Sequence, residues 1–130
     1  MKGKTFIILF VAALTFGVVL FVIKSNPTID FRNEDNVVFV TLPSPPKSKT
    51  IMDRYDIDRL ETLLNQLPKQ YQVSLSNPKG WEMRIISRAG EITVLEGYLI
   101  INGDVYRVDS GIETLRTYYR SLDIVEEDYP

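Results

Sequence analysis

The chain of 130 residues contains no cysteine and no histidine. Without cysteine it forms no disulfide, has no thiolate nucleophile and cannot carry a lipid on an N-terminal cysteine. Without histidine, the commonest general base and metal ligand is gone. Tryptophan occurs once, at Trp81. A concentrated positive charge is missing too. Beyond residue 24 there are 12 Lys and Arg against all 17 Asp and Glu, a net charge of −5. A mildly acidic domain with no basic run is a poor partner for nucleic acid or anionic headgroups, so no nucleic acid is expected.

Charge is also absent from one long stretch. Thr5 to Ile23, TFIILFVAALTFGVVLFVI, has nineteen residues and no charged one. At 1.5 Å per residue it makes about 28 Å of helix, close to the hydrocarbon thickness of a bilayer. No polar stripe recurs every three to four residues, as a soluble helix would require. The core is too long for a cleaved signal peptide, and Lys24-Ser25-Asn26-Pro27 offers no small-x-small cleavage site. The stretch therefore reads as an uncleaved single-pass signal-anchor, ahead of two alternatives: a cleaved signal that releases a secreted domain, and a buried soluble helix. Lys2 and Lys4 precede it; Lys24 and Arg32 follow it among Asp30, Glu34 and Asp35. This short basic head favours residues 1–4 in the cytoplasm and an extracytoplasmic C-terminal part. An extracytoplasmic domain without cysteine fits a bacterial envelope in which disulfides are not routinely used. Ala13 and Gly17 form a small-x-x-x-small pair that could let two anchors pack.

Residues 24–35, with Pro, Asn and charge but no period, read as a juxtamembrane stalk. The domain then spans 36–122. Asn36 to Leu42 is a β-branched run and the expected first strand. Residues 43–50, PSPPKSKT, read as a loop. A helix is expected from Asp56 as N-cap, with Tyr55 stapling onto Leu60; Ile57, Leu60, Leu63, Leu64 and Leu67 form its apolar stripe, and Pro68 ends it. Alternating segments follow at 70–76, 81–87 and 91–98, with turn chemistry at Asn77-Pro78-Lys79-Gly80 and Arg88-Ala89-Gly90. Asn102-Gly103 between apolar runs predicts a type I′ hairpin. Ser110 and Glu113 form a capping-box pattern ahead of a second helix with Ile112, Leu115, Tyr118, Tyr119 and Leu122 on one face. Residues 123–130 read as a solvated acidic tail. The expected fold class is α+β: an N-terminal transmembrane helix, then a small two-layer domain in which two amphipathic helices cover an antiparallel sheet of four to six strands.

Candidate chemistry is sparse. Ser44-Pro45-Pro46-Lys47 and Ser76-Asn77-Pro78-Lys79 match Ser-x-x-Lys, but Pro before Lys in loop sequence opposes the helical turn that brings such a pair together. Asp53, Asp56 and Asp58 lack the spacing and glycine of a calcium loop, and read as helix capping. Asp104 and Asp109 sit at a hairpin turn and a helix start, ordinary places for Asp. No catalytic, metal or cofactor site is therefore expected, and the domain reads as non-enzymatic. Tyr71, Trp81, Tyr98, Tyr106, Tyr118 and Tyr119 are read chiefly as core. Of these, Trp81, Tyr98 and Tyr106 are the candidates for an exposed binding surface toward a protein or other envelope partner. An accessory subunit of a membrane enzyme or transporter is the alternative role.

Overall fold

Strand register carries the alternation of the sequence across the molecule. The computed structural model describes residues 27–42, 45–73, 75 and 80–130. Its strands are β1 (Val37–Thr41), β2 (Lys47–Ile51), β3 (Gln70–Gln72), β4 (Met83–Ser87), β5 (Gly90–Leu95), β6 (Tyr98–Ile101), β7 (Asp104–Arg107) and β8 (Glu127–Asp128). Its helices are α1 (Arg54–Gln66) and α2 (Ile112–Ser121). The strands form one sheet in the order β3-β7-β6-β5-β4-β1-β2-β8, and every neighbouring pair is antiparallel. The small α+β domain with an antiparallel sheet and two helices is thus as expected. The strand count is not: among the described residues eight strands stand where four to six are expected.

Short turns account for the central meander. Asn102 (φ 49°) and Gly103 (φ 90°) both have left-handed backbone, as a type I′ link between β6 and β7 requires. Because side chains alternate across a strand, register sorts the sheet into two faces. One row runs Tyr71, Tyr106, Leu99, Val94, Met83, Thr41, Lys47, Asp128 across all eight strands. Phe39, Ile85 and Ile92 stand beside it, and these residues share one core cluster with Ile57, Leu60 and Leu64 of α1 and Leu115 and Tyr119 of α2. Phe39 meets Tyr119 edge-to-face at 5.1 Å. Both helices therefore lie on this face. They run antiparallel: Gly111, before α2, sits against Leu67 after α1, and Tyr118 Oη donates to the Asp56 carbonyl at 2.6 Å.

Several boundaries differ from expectation, each for a local reason. α1 begins at Arg54 because Asp53 caps it, accepting from Tyr55 N at 2.8 Å and Asp56 N at 3.3 Å. Tyr55 is 74% exposed, so it makes no staple. α2 has Gly111 (φ 97°) as N-cap without a side-chain bond; the Ser110–Glu113 box does not form, and Glu113 pairs with Arg116 instead. The Pro/Ser/Lys stretch becomes strand from Lys47 onward. Its prolines stop at Pro46, and the buried Lys49 ammonium donates to the Tyr119 and Leu122 carbonyls, both at 2.8 Å, where α2 ends. β3 is only three residues long, shorter than the alternating segment 70–76, and Val73, next after Tyr71 in that alternation, is 93% exposed. The acidic tail contributes β8, pairing Asp128 with Lys47 and Glu127 with Ser48.

Where the sequence reads a stalk, residues 29–34 lie against the domain. Ile29 and Phe31 are buried in the core cluster. Asn65 accepts from Ile29 N (2.8 Å) and donates to its carbonyl (2.9 Å), and Glu61 accepts from Phe31 N (2.6 Å). The Arg54 guanidinium donates to the carbonyls of Phe31 (2.9 Å), Glu34 (3.1 Å) and Arg32 (3.3 Å). Buried Glu34 accepts from Arg88 N and Ala89 N, both at 3.1 Å, clasping the β4–β5 turn. Residues 5–23, the turn at 77–79 and both Ser-x-x-Lys serines fall outside the described residues. Among the described residues no helix is long and apolar enough to cross a membrane.

Candidate binding face

The second face of the sheet has an unusual composition for a two-layer domain. Its central row, read from the register, is Gln72, Val105, Ile100, Thr93, Arg84, Val40, Ser48, Glu127. Glu91, Ile86, Val38 and Thr50 form a row on one side, Arg107, Tyr98 and Leu95 on the other. An exposed antiparallel face is ordinarily polar. Here Val38, Ile86, Ile100 and Val105 are half-buried, and Val40 and Leu95 are buried, yet none belongs to the core cluster under the helices.

Four charged groups at this face form two ion pairs, and Glu127 lies on the edge strand β8. Arg84 pairs with Glu91, which also accepts from Thr93 Oγ1 at 3.3 Å. The hydrogen bond from Arg84 holds the Glu91 carboxyl below its usual range, and the same bond raises the guanidinium. The Arg84 guanidinium also lies over the Trp81 ring, 5.4 Å from its centroid. Arg107 pairs with Asp109 at 2.8 Å. Tyr129, whose amide donates to the Pro46 carbonyl at 2.9 Å, contributes electrostatically at Arg84.

The three aromatic candidates separate. Tyr98 is half-buried on the second face, opposite Leu95 and Arg107. Trp81 is half-buried and tied to that face through Arg84. Tyr106 is 3% exposed on the helix side, edge-to-face with Tyr71 at 5.8 Å, and burial pushes its phenol up. It is a core ring, not a surface one: register puts it beside Leu99, one residue from Tyr98 and hence on the other face. Arg84 and the apolar residues of the second face were not singled out from sequence. Their signal was the uninterrupted runs Val37–Val40 and Leu99–Ile101, which mark strands apolar on both sides.

On the helix side several polar groups are engaged. Asp53 caps α1, Asp58 pairs with Arg54 at 2.9 Å, and Arg116 bridges Glu82 and Glu113 beside a cleft of about 430 Å³ lined by Thr41, Leu42, Met83 and Arg120. Asp104 and Asp109 stand at opposite ends of β7. A smaller cleft, about 220 Å³, lies where Thr28 to Phe31 cross the Ser87–Gly90 turn and Asn102. Among the described residues no group of three or more acidic side chains is placed to hold a metal ion.

Comparison with protein-family models, with curated proteins and with solved structures finds no match. Function must be argued from the site.

Proposed function

We propose that the chain is a single-pass membrane protein, anchored by a helix over residues 5–23, that holds a small non-enzymatic domain at the outer surface of the cell membrane and binds a protein or other envelope partner there. The observation that carries this reading is the pairing of an uncharged nineteen-residue stretch with a second, partly apolar sheet face opposite the one the helices cover. Half-buried Val105, Ile100 and Tyr98 lie together on β6 and β7 beside Thr93 and Arg84, and such mixed apolar and polar surface is usual for a non-obligate interface. Absence of cysteine and histidine, together with ion pairs that occupy Glu82, Glu91, Asp109 and Glu113, supports a binding role over a catalytic one.

Tethering raises local concentration, so even modest affinity for a membrane-bound partner would suffice. The test uses the absence of native cysteine. Single-cysteine variants of the full chain, Thr117→Cys on the exposed side of α2 and Lys2→Cys, labelled in intact cells with a membrane-impermeant maleimide, should react at 117 and stay protected at 2, and the chain should resist carbonate extraction. Extraction by carbonate, or labelling at 2 alone, would defeat the reading.

A further inference from the structure

The direction in which the chain reaches the domain bears on what can meet the second face. Thr28 to Phe31 lie at the end of the sheet that carries the Ser87–Gly90 turn and Asn102. From there β4, β5, β6 and β7 all extend toward the opposite end, where Met83, Leu95, Tyr98 and Arg107 lie. Between Ile23 and Thr28 are five residue steps, at most about 18 Å of extended chain. Ile29 and Phe31 are pinned by Asn65, Glu61 and Arg54, so slack does not accumulate after that point. With residues 5–23 in a bilayer, the pinned end faces the membrane, the strands stand away from it, and the second sheet face looks sideways along the membrane surface.

We propose that this face packs against the same face of a second copy of the chain, about a two-fold axis along the membrane normal. The proposal rests on the anchor reading above and names the partner of the face described there. Three observations favour a second copy. An anchored neighbour of the same kind presents the same face at the same height, upright and sideways, as an isologous contact requires. Four charges of the face are paired internally, Arg84 with Glu91 and Arg107 with Asp109, and Glu127 stands on the edge strand β8, so near a central axis two copies meet without like-charge repulsion; a strongly charged partner would find nothing unpaired in those four groups to recognise. Val105, Ile100 and Thr93 occupy consecutive strands in one row across the sheet, an arrangement suited to aligned sheet-on-sheet packing at about 10 Å. Eight strands at about 4.8 Å spacing make a face on the order of 34 Å wide, at the modest end for a dimer, and confinement to one membrane compensates for modest affinity.

The test is disulfide trapping of the full-length chain in phosphatidylcholine–phosphatidylglycerol vesicles at high lipid excess. Thr93→Cys and Ile100→Cys lie near the proposed axis; Thr62→Cys, on the exposed back of α1, is the control. Oxidation should yield covalent dimer at 93 and 100 at least fivefold above 62, and a second change, Val105→Glu, should lower trapping at 93 while the far-ultraviolet spectrum stays the same. Equal trapping at all three sites, or none at 93 and 100, in chains that co-float with the vesicles overturns the dimer and leaves the anchor standing. Failure to co-float overturns the anchor and the dimer with it. In cells, a cross-linked product of the Thr93→Cys variant whose mass differs from twice that of the chain overturns the choice of a second copy as partner.

Discussion

Asn65 treats Ile29 as a neighbouring strand would, accepting from its N–H at 2.8 Å and donating to its carbonyl at 2.9 Å. One side chain on α1 thus satisfies both polar groups of a residue whose own side chain is in the core. Asn65→Ala removes both bonds, and should cost about 1–2 kcal/mol and accelerate amide exchange at Ile29 and Phe31. Asn65→Asp keeps the acceptor and should fall between. Unchanged exchange at Ile29 in Asn65→Ala would show that the strap is held without this pair.

Glu34 makes the second tie. It is 6% exposed and accepts two N–H groups from the Arg88-Ala89 turn. Glu34→Ala leaves two donors without their acceptor and should lower unfolding free energy by about 1–3 kcal/mol; Glu34→Gln, with one acceptor oxygen left, should lose roughly half of that. Urea unfolding at neutral pH measures both.

Gly111 answers to two constraints. Its φ of 97° is unfavourable for other residues, and a Cβ built there comes within 2.6 Å of Leu67 Cδ2. Gly111→Ala should therefore destabilise by about 1–2 kcal/mol for the backbone alone, more with the clash. In the double variant with Leu67→Ala the clash disappears and the backbone penalty stays, so the two single effects should sum to more than the double.

What could be read from the chain, and what could not, follows the range of the interactions involved. The Asn102-Gly103 hairpin was legible because the two φ values it needs are local properties. The stripe Ile57, Leu60, Leu64 was legible because helical period is local. β2 was hidden because Lys49 becomes a core strand residue only through the carbonyls of Leu122 and Tyr119, 73 and 70 positions away. The strap was hidden for the same reason: its polar residues look solvated until Glu34 finds Arg88 N, 54 positions on. Asp53 and Asp56 are equally good caps by residue type. The earlier one is used, and it places Arg54 in the first turn, where it reaches the Phe31 carbonyl. Of the aromatic candidates, Tyr98 and Tyr106 look alike in sequence and differ only by a register that puts them on opposite faces.

Alkaline pH tests the packing of α2, where Tyr118 meets α1 and Tyr119 meets the sheet. Burial is the main cause that pushes the Tyr118 and Tyr119 phenols up to about 12, with the charge of Asp56 adding at Tyr118 and the bond to Glu126 adding at Tyr119. In the unfolded chain both ionise near about 10. Between these values the unfolded state holds fewer protons than the folded one, so stability falls as pH rises. The contribution is complete below about pH 10 and is lost progressively toward about pH 12. Urea midpoints of the wild-type chain should hold steady from about pH 8 to 9.5 and drop through about pH 11.5. Tyr118→Phe removes one of the two titrations together with the bond to the Asp56 carbonyl. It should start lower at about pH 8 and decline less steeply above about pH 10. A slope equal to wild type would place the alkaline loss elsewhere, since removing an ionisable phenol from α2 must flatten the curve if that phenol resists ionisation in the fold.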